Sequence, residues 1–180
     1  MRVISGFLKS RTIIVPSSVK NLRPTTDRAR ETLFNVITSR FNIYGMKILD
    51  IYCGSGSFGI ESISRNALKC TFVDKFPETV KRNITDLGIT DKSLVVKDDV
   101  IRFLKGNKNL DYDIIFADPP YDYTKYEVMI GLLAGFQGIF ILEHSEKYLP
   151  LEIHSKYIFL RKKVGIATFT FFDFKQVNNE

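Results

Sequence analysis

The 180-residue chain has no tryptophan, two cysteines and two histidines. Cys53 and Cys70 cannot build a disulfide framework, so a reducing compartment is the simpler setting. Neither they nor His144 and His154 fall into a cluster with metal-ligand spacing, and no resident metal is expected. Apolar runs are short, which excludes a bilayer-spanning helix. Lys9 and Arg11 interrupt any secretory apolar core near the start. Acidic residues are also scarce there. Residues 1–40 hold eight Lys/Arg (Arg2, Lys9, Arg11, Lys20, Arg23, Arg28, Arg30, Arg40) against Asp27 and Glu31. That excess of six equals the whole-chain +6, because the rest of the chain carries 18 charges of each sign. A basic segment at one end is the footprint of a phosphate-rich partner, a nucleic acid.

With 44% hydrophobic residues the chain is globular, and its length suits one domain over residues 1–180. Residues 2–16 read as a β-hairpin, and residues 1–26 as an arm and loop that contact nucleic acid. Leu33, Phe34, Ile37 and Phe41 form a helical stripe, with Thr26 or Asp27 as its cap. From Met46 onward strands and helices alternate. Strands are expected at 47–51, 70–74, 93–96, 112–117 and 138–143, and helices at 58–65, 77–87, 100–105 and 124–134. A second hairpin follows, 157–160 with 166–171, turning over Lys162–Gly165. Such alternation predicts an α/β fold with a mostly parallel sheet covered on both faces. Ligands in these sheets bind at the carboxyl ends of the strands.

Chemistry-bearing residues fall at those ends. After the first strand comes Asp50-x-x-x-Gly54-x-Gly56-x-x-Gly59, a turn that lets a ligand approach the backbone. Asp74 ends the second strand, placed to hold a ribose diol. Asp98 and Asp99 follow the third. Asp99, with Val100 beside it, is taken as the adenine acceptor, and capping of the next helix is the alternative. A pyrophosphate would be repelled by Asp50, whereas S-adenosylmethionine carries an ammonium and a sulfonium. Four aspartates at strand ends favour that donor, with S-adenosylhomocysteine as its product. Phe76 lies along the adenine or belongs to the core. Cys53 and Cys70 read as small buried residues, and His144, after Glu143 at a strand end, as an inert surface residue, with a contact to substrate as the alternative.

Asp118-Pro119-Pro120-Tyr121 follows the buried run Ile114–Ala117. Proline stops the strand and fixes a loop at the sheet rim. The Asp118 carboxylate and the Pro119 carbonyl can hold both N–H bonds of an exocyclic amine, and Tyr121 can stack on its base. The base must be flipped out or unpaired. This loop alone leaves guanine and adenine both open.

Arg23-Pro24-Thr25-Thr26-Asp27-Arg28-Ala29-Arg30-Glu31-Thr32-Leu33-Phe34-Asn35 resembles the N-terminal signature of the bacterial methyltransferases of RsmD type, which modify a guanine N2 in 16S ribosomal RNA. The glycine turn, the Asp118–Tyr121 loop and Glu143 resemble the same family, over nearly the whole chain. The resemblance implies a class I S-adenosylmethionine-dependent methyltransferase, Rossmann-like with a seven-stranded sheet, preceded by a β-hairpin and helix. It implies a cytoplasmic monomer acting on 16S rRNA within the small subunit or an assembly intermediate, with Arg11, Arg23, Thr26, Arg28 and Arg30 on the RNA. Asp74 stands where the family commonly has glutamate, Tyr52-Cys53 where it has Phe-Ala, and Phe7 and Ser10 where it has glycines. The competing readings are an adenine-N6 methyltransferase, a non-catalytic RNA-binding ribosome-assembly protein, and a nicotinamide dehydrogenase, which Asp50 disfavours.

Overall fold

A computed structural model describes residues 1–15, 27–120 and 122–175. Helix α1 (Asp27–Arg40) precedes strand β1 (Lys47–Ile51). Then come α2 (Ser57–Ser64), β2 (Lys69–Asp74), α3 (Glu78–Leu87), β3 (Ser93–Lys97) and α4 (Val100–Gly106). The second half holds β4 (Ile114–Ala117), α5 (Tyr126–Leu132), β5 (Ile139–Ser145), α6 (Glu152–Ser155), β6 (Ile158–Val164) and β7 (Ala167–Asp173). The one-turn helices at Thr90–Lys92 and at α6 carry no periodic signal in the sequence, being too short to show one.

The strands form one sheet in the order β3-β2-β1-β4-β5-β7-β6. The first five are parallel, and β7 runs antiparallel between β5 and β6. Alternate residues of the central strands feed two different cores, as a period of two requires. Ile48, Ile114 and Phe116 pack with α1, α2 and α3. Leu49, Ile51, Ile115 and Ala117 pack with α4 and α5. On the first face three rings are layered. Phe58 lies 5.1 Å from Phe34 of α1 and 4.1 Å from Phe116 of β4, centroid to centroid. Strand order reverses between β1 and β4, which opens a crevice at their carboxyl ends.

The hairpin expected over residues 2–16 is narrower in the structure: a single antiparallel bridge, Arg2 with Thr12, spans residues 1–15. The reason lies in competing partners. The amides of Ile4 and Ser5 donate to the Glu61 carboxylate (2.7 and 3.0 Å). Leu8 N–H donates to Ser64 Oγ (3.0 Å), Phe7 N–H to the Ser64 carbonyl (3.0 Å) and Ile14 N–H to Asn83 Oδ1 (2.8 Å). Val3, Ser10 and Ile13 N–H still donate across the hairpin, to the Arg11, Val3 and Met1 carbonyls, but these other amides are taken by α2 and α3 and do not extend the pairing. Val3, Leu8 and Ile13 are buried beneath, so the segment is a strap on the body rather than a free arm. At Gly6, φ is +82° and an added Cβ would meet the Ser64 carbonyl oxygen at 1.8 Å.

The second hairpin turns later than expected. β6 continues through Lys162 and Lys163, which pair with Phe169 and Thr168, and the chain reverses at Gly165. Lysines on an exposed edge strand do not stop it; they guard it.

His144 is buried on β5, not inert at the surface. Its Nε2 lies 2.7 Å from Thr170 Oγ1 and its Nδ1 2.7 Å from the Ser145 carbonyl. Burial holds the imidazole below its ordinary value of 6.5. The unfolded chain therefore binds a proton that the folded chain refuses, and stability falls as pH drops below about 6.5. This one group contributes a slope of at most about 1.4 kcal/mol per pH unit. Urea unfolding from pH 7.5 to 5 should show a shallower acid loss in His144→Asn than in the parent; equal slopes would refute the assignment.

Candidate active site

The glycine turn leaves β1 in a run of left-handed residues: Tyr52 at φ 57°, Gly54 at 53° and Gly56 at 77°. Its three glycines have different jobs. An added Cβ at Gly54 would meet nothing within 4 Å, so this one leaves backbone open to a ligand. At Gly56 a Cβ would meet Val80 at 2.4 Å, and at Gly59 the Phe72 ring at 2.3 Å and Cys70 Sγ at 2.5 Å. These two permit close packing of α2 on its neighbours.

Asp50 does not face the crevice. It is buried, and its Oδ2 accepts the Gly59 amide at 3.0 Å, satisfying a free N–H in the first turn of α2. Burial pushes its carboxyl well up; the Gly59 bond opposes this, and the charges of Asp118 and Asp74 add to it. Asp74 braces the turn from the next strand. Its two oxygens accept the amides of Gly54 and Phe76, both at 2.9 Å.

Asp99 shows the capping role. Its Oδ1 accepts the Arg102 amide at 3.0 Å, and Lys75 Nζ lies 2.8 Å from Oδ2. The Lys75 ammonium, with that amide, holds the carboxyl below the usual range. Both oxygens that an adenine amine would need thus have partners within the fold, though Asp99 and Val100 still line the crevice. Phe76 is 76% exposed there, which removes it from the core.

Across the crevice, β4 delivers Asp118 to the same cavity of about 530 Å³. Gly54, Asp74, Asp118 and Pro120 all line it. Pro119 is buried and lies behind the wall. The Pro120 carbonyl accepts the Tyr123 amide at 2.9 Å, which tightens the loop. Tyr121 lies outside the described residues. Four carboxylates (Asp74, Asp99, Asp118, Asp122) and two ammonium groups (Lys75, Lys125) face the cavity. The surplus of negative charge suits a cationic nucleoside donor and opposes a pyrophosphate. Among the described residues, no group of three or more His, Cys, Asp or Glu is placed to hold a metal ion. No described helix is long and apolar enough to cross a membrane.

The basic residues expected on RNA separate. Arg11 and Arg28 are exposed, Arg11 donating to the Asp86 carbonyl at 3.1 Å. Arg30 is 2% exposed and donates to the Arg2 carbonyl and to Asp27 Oδ1 (2.8 Å). It ties α1 to the strap, and burial takes it away from any outside phosphate. Arg23 and Thr26 lie outside the described residues.

The family described as Conserved hypothetical protein 95 matches residues 1–173. Ribosomal RNA small subunit methyltransferase D of Buchnera aphidicola (subsp. Acyrthosiphon pisum) is 36% identical over 169 residues, covering 90% of this chain and 86% of that protein. Its namesake in Haemophilus influenzae is 32% identical over 179 residues, covering 94% and 91%. The chain belongs to this methyltransferase family. Among solved structures, a candidate methyltransferase of Escherichia coli, yhhF, superposes with a TM-score of 0.79 at 28% identity, over 96% of each chain. The methyltransferase D family thus brings the class I fold that the sheet order shows.

Four residues of the site carried no clear sequence signal: Tyr52, Lys75, Asn83 and Tyr123. Asn83 is buried on α3 and donates to the carbonyls of Ile14 and Ser55, both at 2.9 Å. It fastens the strap to the glycine turn. Only a polar residue on the apolar face of a helix could have pointed to it.

Proposed function

We propose that this protein transfers a methyl group from S-adenosylmethionine to the exocyclic N2 amine of a guanine in 16S ribosomal RNA of the small subunit. The observation that carries the reading is one cavity shared by Gly54 and Asp74 on one side and Asp118 and Pro120 on the other. S-adenosylmethionine, when bound, supplies a methyl group on a cationic sulfur. Gly54 gives it room, and the carboxylate surplus attracts its charge. The Asp118 carboxylate, on the cavity wall, accepts an N–H of the target amine, whereas the Pro119 carbonyl expected as a second acceptor belongs to a buried residue that does not line the cavity. Held so, the nitrogen lone pair is drawn out of the ring and aimed, and Asp118 stabilises the positive charge that develops there. Asp118 is exposed at the rim, so the proton the nitrogen sheds passes on to water. A base reaches this depth only when flipped from its stack. Exposed Arg28, in the first turn of α1, and exposed Arg11, held at the far end of α3, bind phosphate of the RNA outside the cavity. The same reading puts a single copy of the chain in the cytoplasm, acting on assembled or assembling subunits.

The test is incubation with labelled S-adenosylmethionine and unmodified small subunits, followed by digestion to nucleosides. Label in N2-methylguanosine is expected. Label in N6-methyladenosine would overturn the choice of base, and no label with RNA binding retained would overturn the enzymatic reading.

A further inference from the structure

The cavity is bridged by a contact that the transfer chemistry does not use. The Tyr52 hydroxyl donates to the Tyr123 hydroxyl at 2.8 Å, and the two rings meet edge to face with centroids 5.3 Å apart. Both residues line the cavity. They come from opposite sides of it. Tyr52 follows β1 and leads into Gly54, whereas Tyr123 lies on the loop that leaves Asp118. Tyr52 is a bulky residue at φ 57°, a left-handed conformation that costs backbone energy and persists only where the surroundings hold it. Tyr123 is backed from behind. Its ring meets Tyr126 edge to face at 5.0 Å, and Tyr126 stacks on Tyr148 at 4.2 Å. The Tyr148 hydroxyl donates to Glu127 at 2.5 Å. Burial pushes both bridging phenols up, so each keeps its proton and stays able to donate.

We propose that the Tyr52–Tyr123 hydroxyl pair is a latch that joins the donor side of the cavity to the loop after Asp118, and that it positions this loop and slows release of the bound nucleoside. The residues act through the loop, so they are positioning residues. A phenylalanine at position 52, which the family resemblance leads one to expect, would keep the ring contact and lose the bond. The proposal rests on the methyl-donor reading of the cavity but not on the identity of the RNA.

The test uses the full chain as Tyr52→Phe, Tyr123→Phe and the double variant, which all retain their rings. Dissociation of S-adenosylhomocysteine is followed by stopped flow without RNA. Because a single hydrogen bond is removed, release should quicken about tenfold in each single variant and no further in the double. In the ligand-free protein, hydrogen exchange at the Tyr123 amide, which donates to the Pro120 carbonyl, should rise alike in all three. Unchanged release rates would overturn the latch, and so would effects that multiply in the double variant, because each phenol would then act alone. If the latch signature is present and ribosomal RNA is not labelled, only the substrate reading falls. If RNA is methylated and all four proteins release at one rate, only the latch falls.

Discussion

Asp118→Ala should lower the rate of methyl transfer by about 10²–10³-fold, while affinity for S-adenosylhomocysteine changes no more than about threefold. The split follows from where the side chain sits. Asp118 follows β4 on one side of the cavity, the side proposed for the substrate, whereas Gly54 and Asp74 lie on the side proposed for the donor. Its carboxylate interacts most strongly when the amine nitrogen becomes positive, so its loss is felt in the transition state rather than in donor binding. Asp118→Asn keeps one acceptor oxygen but turns an amide N–H₂ toward the amine, so it should recover little. Single-turnover transfer to unmodified subunits, with calorimetric titration of the product, separates the two quantities. Full activity in Asp118→Ala would sink the mechanism. Lost activity with an equally lost product affinity would move Asp118 to the donor side.

The largest effect on stability is expected at Glu61. It is fully buried on α2, where its carboxylate accepts the amides of Ile4 and Ser5 and, at 2.8 Å, the Arg65 Nε–H. The Arg65 guanidinium lies 4.7 Å above the Phe34 ring and has little access to water. Glu61→Ala leaves a cation and two backbone donors without their partner. Breaking a buried pair in this way costs about 3–5 kcal/mol. That is a large share of the roughly 5–15 kcal/mol that holds an ordinary domain together. Glu61→Gln keeps an acceptor for one amide and should lose less. Urea unfolding measures both, and a loss under about 1 kcal/mol for Glu61→Ala would show that the strap is held by its apolar residues alone.

Much of this architecture is readable from local pattern. Apolar runs such as Ile114–Ala117, each followed by a carboxylate, mark the parallel strands and the rim where chemistry collects. The glycine turn is equally plain, but its division of labour is not. Whether a glycine faces a ligand or a phenylalanine depends on β2 and α3, which meet the turn only after folding. The same holds for Asp50 and Asp99, whose partners are backbone amides of helices they precede. Arg30 misleads for a related reason. Its neighbours in sequence look like a phosphate-binding cluster, yet at the third position after Asp27 it turns inward and is buried. Glu61 could have been suspected, since a charge inside Phe58–Ser64, a helix otherwise apolar or small, needs a partner. Which partner it takes is a matter of tertiary structure: residues 4 and 5 lie far away in the chain.

The layered rings of Phe34, Phe58 and Phe116 have a mechanical meaning. Close-packed aromatic groups have almost no compressibility, so a load on one passes to the next. α1 is therefore a strut whose thrust reaches Phe116, two positions before the Asp118 carboxylate proposed to hold the target amine. The stiffness of the rim that carries Asp118 is set from the far side of the sheet, by a helix that never enters the cavity.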